Sequence, residues 1–201
     1  MEREMAIKIS SEERKDFIAK IAAKVFSKKG YQGASLQDIA LKTKISKAGI
    51  YHYFKSKDEI LAYILIKYTD DCIMELKNDI KDSNEKSLSP QDSLKKLIGA
   101  YARLVNSDKV NRLIVLRERH QLTGNHKKEL VKKERAIFHV MKDELNKIDN
   151  LGKNTNHNII TFLFISMSHW LGYWYKEEKG MGLEAIIDHN IQIIFHGILE
   201  K

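Results

Sequence analysis

One cysteine and one proline in 201 residues, with ten glycines, leave this sequence little material for disulfides, metal clusters or frequent turns. The lone thiol, Cys72, excludes an internal disulfide framework and any zinc site built from clustered cysteines. It fits a reducing compartment. Scarce proline and glycine exclude collagen-like and proline-rich linker architectures and argue against a turn-dense all-β fold. No Walker-A run, G-x-G-x-x-G or G-x-S-x-G occurs, and the eight histidines form no H-E-x-x-H. The expectation is therefore a chain that is not an enzyme and that carries no metal and no cofactor. The opening run MEREMAIKIS is charged and has no apolar core segment, so it does not read as a secretory leader; a cytoplasmic protein is expected. The longest apolar stretch without formal charge, Ile159–Tyr175, has 17 residues, the bottom of the membrane-spanning range of about 17–25. It also holds Thr161, Ser166, Ser168 and His169, and it reads as a helix buried on all sides of a bundle, with no membrane partner.

What is present is a globular balance, 43% hydrophobic and 31% charged. The charge is unevenly placed. Residues 1–57 carry 13 Lys/Arg against 6 Asp/Glu, which is +7 of the chain's net +8. An excess confined to one quarter of a chain points to an anionic partner for that quarter, nucleic acid foremost.

The periodicity is helical throughout, which gives an all-α fold. Ser10 and Glu13 form a capping box before the stripe Phe17, Ile18, Ile21, Ala22, Val25, Phe26, which Gly30 ends. A second box, Ser35 with Asp38, opens a short helix to about Lys44; Ser46 caps a third helix to about Phe54. A third box, Ser56 with Glu59, opens a long helix through Ile80. Residues 82–91 are polar and read as a loop, closed by Ser89-Pro90, a cap with proline in the first turn. Helices follow at about 91–105, 110–122 and 127–147, then a loop at 149–157, then two strongly apolar helices at about 158–176 and 183–199.

Residues 34–53 are two short helices joined by a tight turn, a helix-turn-helix in length and pattern, lying in the basic quarter. The second helix starts with the small residues Ala48 and Gly49, which would let its backbone approach a groove, and carries Lys47, Tyr51, His52 and Tyr53. Lys47, Tyr51 and Lys55 are phosphate donors by type, and Lys57 stands at the next helix start, where backbone amides also favour an anion.

The run AAKVFSKKGYQGASLQDIALKTKISKAGIYHYFKSKDEIL resembles the DNA-binding domain of the TetR family of bacterial repressors. The matching features are F-x-x-x-G-Y at Phe26–Tyr31, S-L-x-D-I-A at Ser35–Ala40, G-I-Y-x-Y-F at Gly49–Phe54 and K-x-K-x-E-I-L ending at Leu61, with Ser35 where threonine is more usual. The resemblance implies a three-helix DNA-binding domain over residues 1–57 and an antiparallel helical ligand-binding and dimerisation domain over 58–201. It further implies a homodimer on a palindromic site in double-stranded DNA, released by a small-molecule inducer. It carries Ser35, Lys47, Ala48, Tyr51, His52 and Lys57 onto DNA-facing positions, and leaves Phe26, Ile39, Ala40, Ile50 and Phe54 as core.

Residues 169–186, HWLGYWYKEEKGMGLEAI, resemble a subset of TetR regulators that sense acyl-CoA thioesters, through Trp170, Trp174, Tyr175 and Gly182-Leu183; Glu177 departs from the pattern where a turn residue is usual. An anionic ligand would be met by Arg117, Arg119 or His120, although both arginines have acidic neighbours, Glu118 and Glu134, to pair with instead. The expected ligand-binding set is Tyr101, Arg117, His120, Phe138, Phe162, Met167, Trp170 and Trp174. A hydrophobic or cationic drug is the alternative inducer; an enzyme with no recognisable motif is the distant alternative.

Overall fold

The computed structural model of the chain describes residues 10–149, 151–152, 155–175 and 180–198. Helix α1 (Ser11–Lys29) begins where Ser10 Oγ accepts from the Glu13 N–H at 3.1 Å and Glu13 accepts from the Ser10 N–H at 2.7 Å. It ends at Gly30, whose φ of 71° lies where a Cβ is unfavourable and whose N–H donates to the Phe26 carbonyl. Helix α2 (Leu36–Thr43) is started by the reciprocal pair Ser35 and Asp38. The left-handed residue Lys44 and the cap Ser46 turn the chain into α3 (Lys47–Tyr53). All three starts fall where the serine–acid or serine spacing places them.

Helix α4 (Lys57–Glu85) differs from the expectation at both ends. Ser56 caps it, but Glu59 turns its carboxylate to the Lys55 N–H at 2.6 Å, one residue before the cap, so the third box is not closed on itself. At the other end the helix continues to Glu85, through residues expected to be loop. Polar residues there hold the helix: Lys86 pairs with Asp82 at 3.0 Å, Lys96 of the next helix reaches Asp82 as well, and Ser83 Oγ donates to the Asp79 carbonyl at 2.8 Å. Loss of apolar periodicity marks an exposed helix end as readily as a loop.

Helix α5 (Pro90–Ser107) starts at the Ser89 cap with proline in its first turn. Helix α6 (Lys109–Glu118) is shorter than expected and passes into a 3-10 turn over Arg119–Gln121. Helix α7 (Gly124–Leu145) opens earlier than expected, and α8 (His157–Trp174) and α9 (Leu183–Ile198) close the described chain. The expected loop at 149–157 lies partly, and Glu177 wholly, outside the described residues.

Three buried clusters organise these helices. The first joins α1, α2, α3 and the opening turns of α4 around Phe26, Ile39, Ile50, Phe54 and Leu61, and takes in Ile114, Leu122 and Leu130 from the α6–α7 region. Burying a side chain such as Phe54 contributes about 1.5–3 kcal/mol. The second cluster packs α5, α8 and α9 through Leu94, Ile98, Phe164, Leu171 and Ile191. The third packs α4, α5 and α7 through Cys72, Leu76, Tyr101, Ile137 and Met141. Because the first cluster extends across the expected division at residue 57, α4 belongs to both halves as one continuous helix. Among the described residues no helix is long and apolar enough to cross a membrane.

Candidate nucleic-acid interface and ligand cavity

The short α3 has two faces. Ile50 is wholly buried, and Phe54, just after the helix, nearly so; together they pin α3 to the first core. Lys47, Ala48, Tyr51 and His52 are exposed on the outside. The Lys47 ammonium lies 6.0 Å from the Tyr51 ring centroid, and His52 meets half-buried Tyr53 edge to face. Gly49 has a packing reason beside its small size. A Cβ there would stand 2.7 Å from the Ile45 side chain, so glycine lets α3 sit against the turn before it.

Ser35 is exposed at the start of α2, beside this face, and its hydroxyl is engaged: it donates to Asp38 at 2.8 Å and accepts from the Asp38 N–H. Asp38 is also clasped by Lys29, whose ammonium, with Ser35, holds the carboxyl down to about 2. Lys57 is placed differently from an open phosphate donor. Its Nζ donates to the carbonyl oxygens of Tyr31 at 2.8 Å and Ala34 at 2.9 Å and lies 4.3 Å from the Tyr31 ring centroid. Two of its three N–H groups thus tie the first turn of α4 to the loop before α2.

A cavity of about 770 Å³ opens between α4, α5, α7 and α8. Of the expected ligand set it brings together Tyr101, Phe138 and Phe162. Arg117 and His120 are exposed and outside the lining, and Met167 packs on the second core instead. Trp170 and Trp174 are 63% and 51% exposed and do not line the cavity. They stand on an outward stripe of α8 with Ile159, Leu163 and Tyr173, so α8 is not buried on all sides as its composition suggested. Uniform apolarity hides which side of a helix faces its own core when the other side is also apolar.

The lining residues the sequence left unnamed for this role include Leu65, Cys72, Val115, Leu130, Glu134, Ile165 and His169. Their helices are readable from periodicity, but which turns of four helices converge on one void is a tertiary property. Burial pushes the Cys72 thiol up to about 12, so it is an inert wall group. Arg119 lines the cavity and its guanidinium pairs with both carboxylate oxygens of Glu134, also in the wall. Tyr101 and His169 meet at 2.7 Å between the phenol oxygen and Nε2. Burial holds the His169 imidazole below its ordinary value, with Glu134 opposing weakly, so this histidine is neutral near pH 7. Val131, Arg135 and His139 belong both to the cavity and to an adjoining surface groove that adds Lys128 and Lys132. Among the described residues no group of histidine, cysteine and carboxylate side chains is arranged to hold a metal ion.

Residues 18–64 match the family model for bacterial regulatory proteins of the tetR family, and residues 87–198 match a tetracyclin repressor-like C-terminal domain. The uncharacterised HTH-type transcriptional regulator YerO of Bacillus subtilis (strain 168) is 36% identical over 88 residues, which are 44% of this chain and 30% of that protein. The HTH-type transcriptional regulator HbdR of Aromatoleum sp. (strain CIB) is 29% identical over 116 residues, 58% of this chain and 49% of that one. The matched region thus spans less than half the length of these relatives. Among solved structures, AibR in complex with isovaleryl coenzyme A and operator DNA superposes with a TM-score of 0.80 at 22% identity, covering 90% of this chain and 98% of that one. FadR from Bacillus subtilis in complex with stearoyl-CoA gives 0.75 at 17% identity, with 91% and 98% covered. Matched by family models in both its helix-turn-helix and its helical C-terminal half, the chain belongs to the TetR family of bacterial regulatory proteins.

Proposed function

We propose that this chain is a dimeric, DNA-binding transcriptional repressor that leaves a palindromic operator when an acyl-CoA thioester occupies the cavity between α4, α5, α7 and α8. The DNA contacts assigned are Lys47, Ala48, Tyr51 and His52 of α3, with Ser35 at the start of α2 and the remaining N–H of Lys57. The support is the division of α3, whose anchor Ile50 is buried while Lys47, Ala48, Tyr51 and His52 are exposed. A helix fixed this way meets a major groove without rearranging its core.

The observation that carries the ligand class is the shared wall of cavity and groove. An apolar void lined by Leu65, Ile137, Phe138 and Phe162 adjoins, at Val131, Arg135 and His139, a groove bearing Lys128 and Lys132. An apolar chain with a polyanionic head matches that sequence of surfaces. A cationic drug would need a free acid in the wall, and Glu134 is already neutralised by Arg119. The bound acyl-CoA ligands named for AibR and FadR agree with this choice.

Dimerisation is assigned to the outward stripe of α8, Ile159, Leu163, Trp170 and Trp174. Contiguous apolar side chains of this size are seldom left to water, and a two-fold partner covers them with its own copy. The test is thermal denaturation of the full chain with octanoyl-CoA, free octanoate and a cationic dye. A ligand at a hundredfold excess over its dissociation constant stabilises by about 2.7 kcal/mol. A rise in midpoint with octanoyl-CoA and none with the dye is expected; the reverse pattern overturns the ligand class and leaves the DNA-binding reading in place.

A further inference from the structure

Tyr101 and His169 form an uncharged hydrogen-bonded pair in the cavity wall. Tyr101 on α5 is 3% exposed, His169 on α8 is largely buried, and both line the void. Their 2.7 Å hydrogen bond joins the phenol oxygen to Nε2. A phenol and a neutral imidazole bring two proton donors to this contact, one O–H and one N–H, and a single hydrogen bond uses only one. If Tyr101 donates, the imidazole proton is on Nδ1; if Nε2–H donates, the phenol proton is left over. In either arrangement the pair itself leaves one donor over, in a cavity whose wall is mostly apolar (Leu65, Ile137, Phe138, Ile165) but also holds Tyr68, Thr69 and Asn158. A buried donor without a partner is unfavourable, and an acceptor atom in a ligand would satisfy it. Of the charged wall groups, Arg119 and Glu134 satisfy each other, and Arg135 is exposed where the cavity meets the adjoining groove.

We infer that Tyr101 and His169 form a specificity element that hydrogen-bonds an uncharged carbonyl oxygen carried by the apolar part of the inducer. Resting on the cavity as the inducer site, this deepens the acyl-CoA reading: the thioester carbonyl, not only the alkyl chain and the phosphates, is read by the protein. It also assigns His169 a contact with ligand that neither its position in an apolar helix nor any motif around it announces.

The test is isothermal titration of the full chain with two matched pairs. Octanoyl-CoA and its thioether, S-octyl-CoA, differ only by the carbonyl; octan-2-one and octane differ likewise and carry no coenzyme. In the natural protein the carbonyl member is expected to bind about three- to tenfold more tightly, the range of one net hydrogen bond. Either single variant leaves one donor in place, so the carbonyl preference is expected to vanish in the double variant Tyr101→Phe/His169→Phe, which removes both, while the thioether keeps its affinity. Tyr101→Phe/His169→Leu, which also removes both donors, serves if the first double variant does not fold, as judged by circular dichroism. Binding of the ketone with carbonyl preference, without binding of either CoA compound, removes the acyl-CoA reading and keeps the carbonyl element. Equal affinities within both pairs in the natural protein, a preference that survives loss of both donors in the double variant, or no binding by any of the four overturns it.

Discussion

The Arg119 guanidinium donates from Nε and Nη2 to the two carboxylate oxygens of Glu134, clamping the 3-10 turn after α6 to α7 at the edge of the cavity. Two residues farther on, Gln121 Oε1 accepts from Gln32 Nε2 at 2.7 Å, and Gln32 lies in the loop that leads into α2. The cavity wall and the helix-turn-helix are therefore joined through one short turn of chain. The two ends of that connection are testable separately.

Breaking the outer end should uncouple the halves without unfolding either. Gln32→Ala is expected to leave operator affinity and octanoyl-CoA affinity within about twofold, because one exposed neutral hydrogen bond contributes at most about 1 kcal/mol. Octanoyl-CoA should then shift operator affinity less than in the natural protein. Operator titrations by fluorescence anisotropy, with and without octanoyl-CoA, check this; an unchanged shift would mean that Gln32 and Gln121 carry none of the coupling.

At the inner end, Glu134→Gln leaves the guanidinium facing a neutral amide. A half-exposed bidentate pair contributes about 1 kcal/mol, which for a chain of this length lowers the melting midpoint by about 2–4 °C. Arg119→Ala/Glu134→Ala should cost no more than the sum of its two single variants and less if the pair is the whole effect. Calorimetry of the natural protein, Glu134→Gln, Arg119→Ala, Glu134→Ala and the double alanine variant decides.

Lys57→Ala should lower stability as well as DNA affinity. Its ammonium satisfies the Tyr31 and Ala34 carbonyls, and removing it leaves both to find other donors, a loss of about 1–3 kcal/mol. If the third N–H also meets a phosphate, the slope of log affinity against log salt falls by about one. Loss of affinity with an unchanged melting midpoint would contradict the structural half of this role.

Tyr51→Ala, by contrast, should cost DNA affinity alone. The side chain is 47% exposed, with the Lys47 ammonium 6.0 Å from its ring centroid. About a tenfold loss of operator binding with an unaltered melting midpoint and unaltered dimer is expected.

Acid should weaken the folded state through His169. Its folded value lies below the ordinary 6.5 because burial penalises the imidazolium. Below the ordinary value the unfolded chain binds a proton that the folded chain does not, so stability falls as pH drops from about 6.5 toward the folded value. Denaturation midpoints across that window should decline in the natural protein and decline less in His169→Phe.

Local features of this fold are legible in the sequence because they are set by neighbours in the chain. Ser10, Ser35, Ser46, Ser56 and Ser89 announce five helix starts, and Ile50 with Phe54 announce the buried side of α3. The cavity is not local. Tyr101, Phe138 and Phe162 are found by seeking aromatics, whereas Glu134 and His169 converge from α7 and α8 only after packing. Trp170 and Trp174 show the same limit from the other side: a tryptophan stripe is equally apolar whether it lines a pocket or faces outward, and here it faces outward.

The central claim is that octanoyl-CoA and operator DNA compete through this chain. Selection of bound sequences from a random duplex pool should enrich a palindrome. Anisotropy on that palindrome should then show its dissociation constant rising at least tenfold, about 1.4 kcal/mol of coupling, when octanoyl-CoA is saturating. Enrichment of no palindrome, or an operator affinity indifferent to octanoyl-CoA bound in the cavity, would contradict the account.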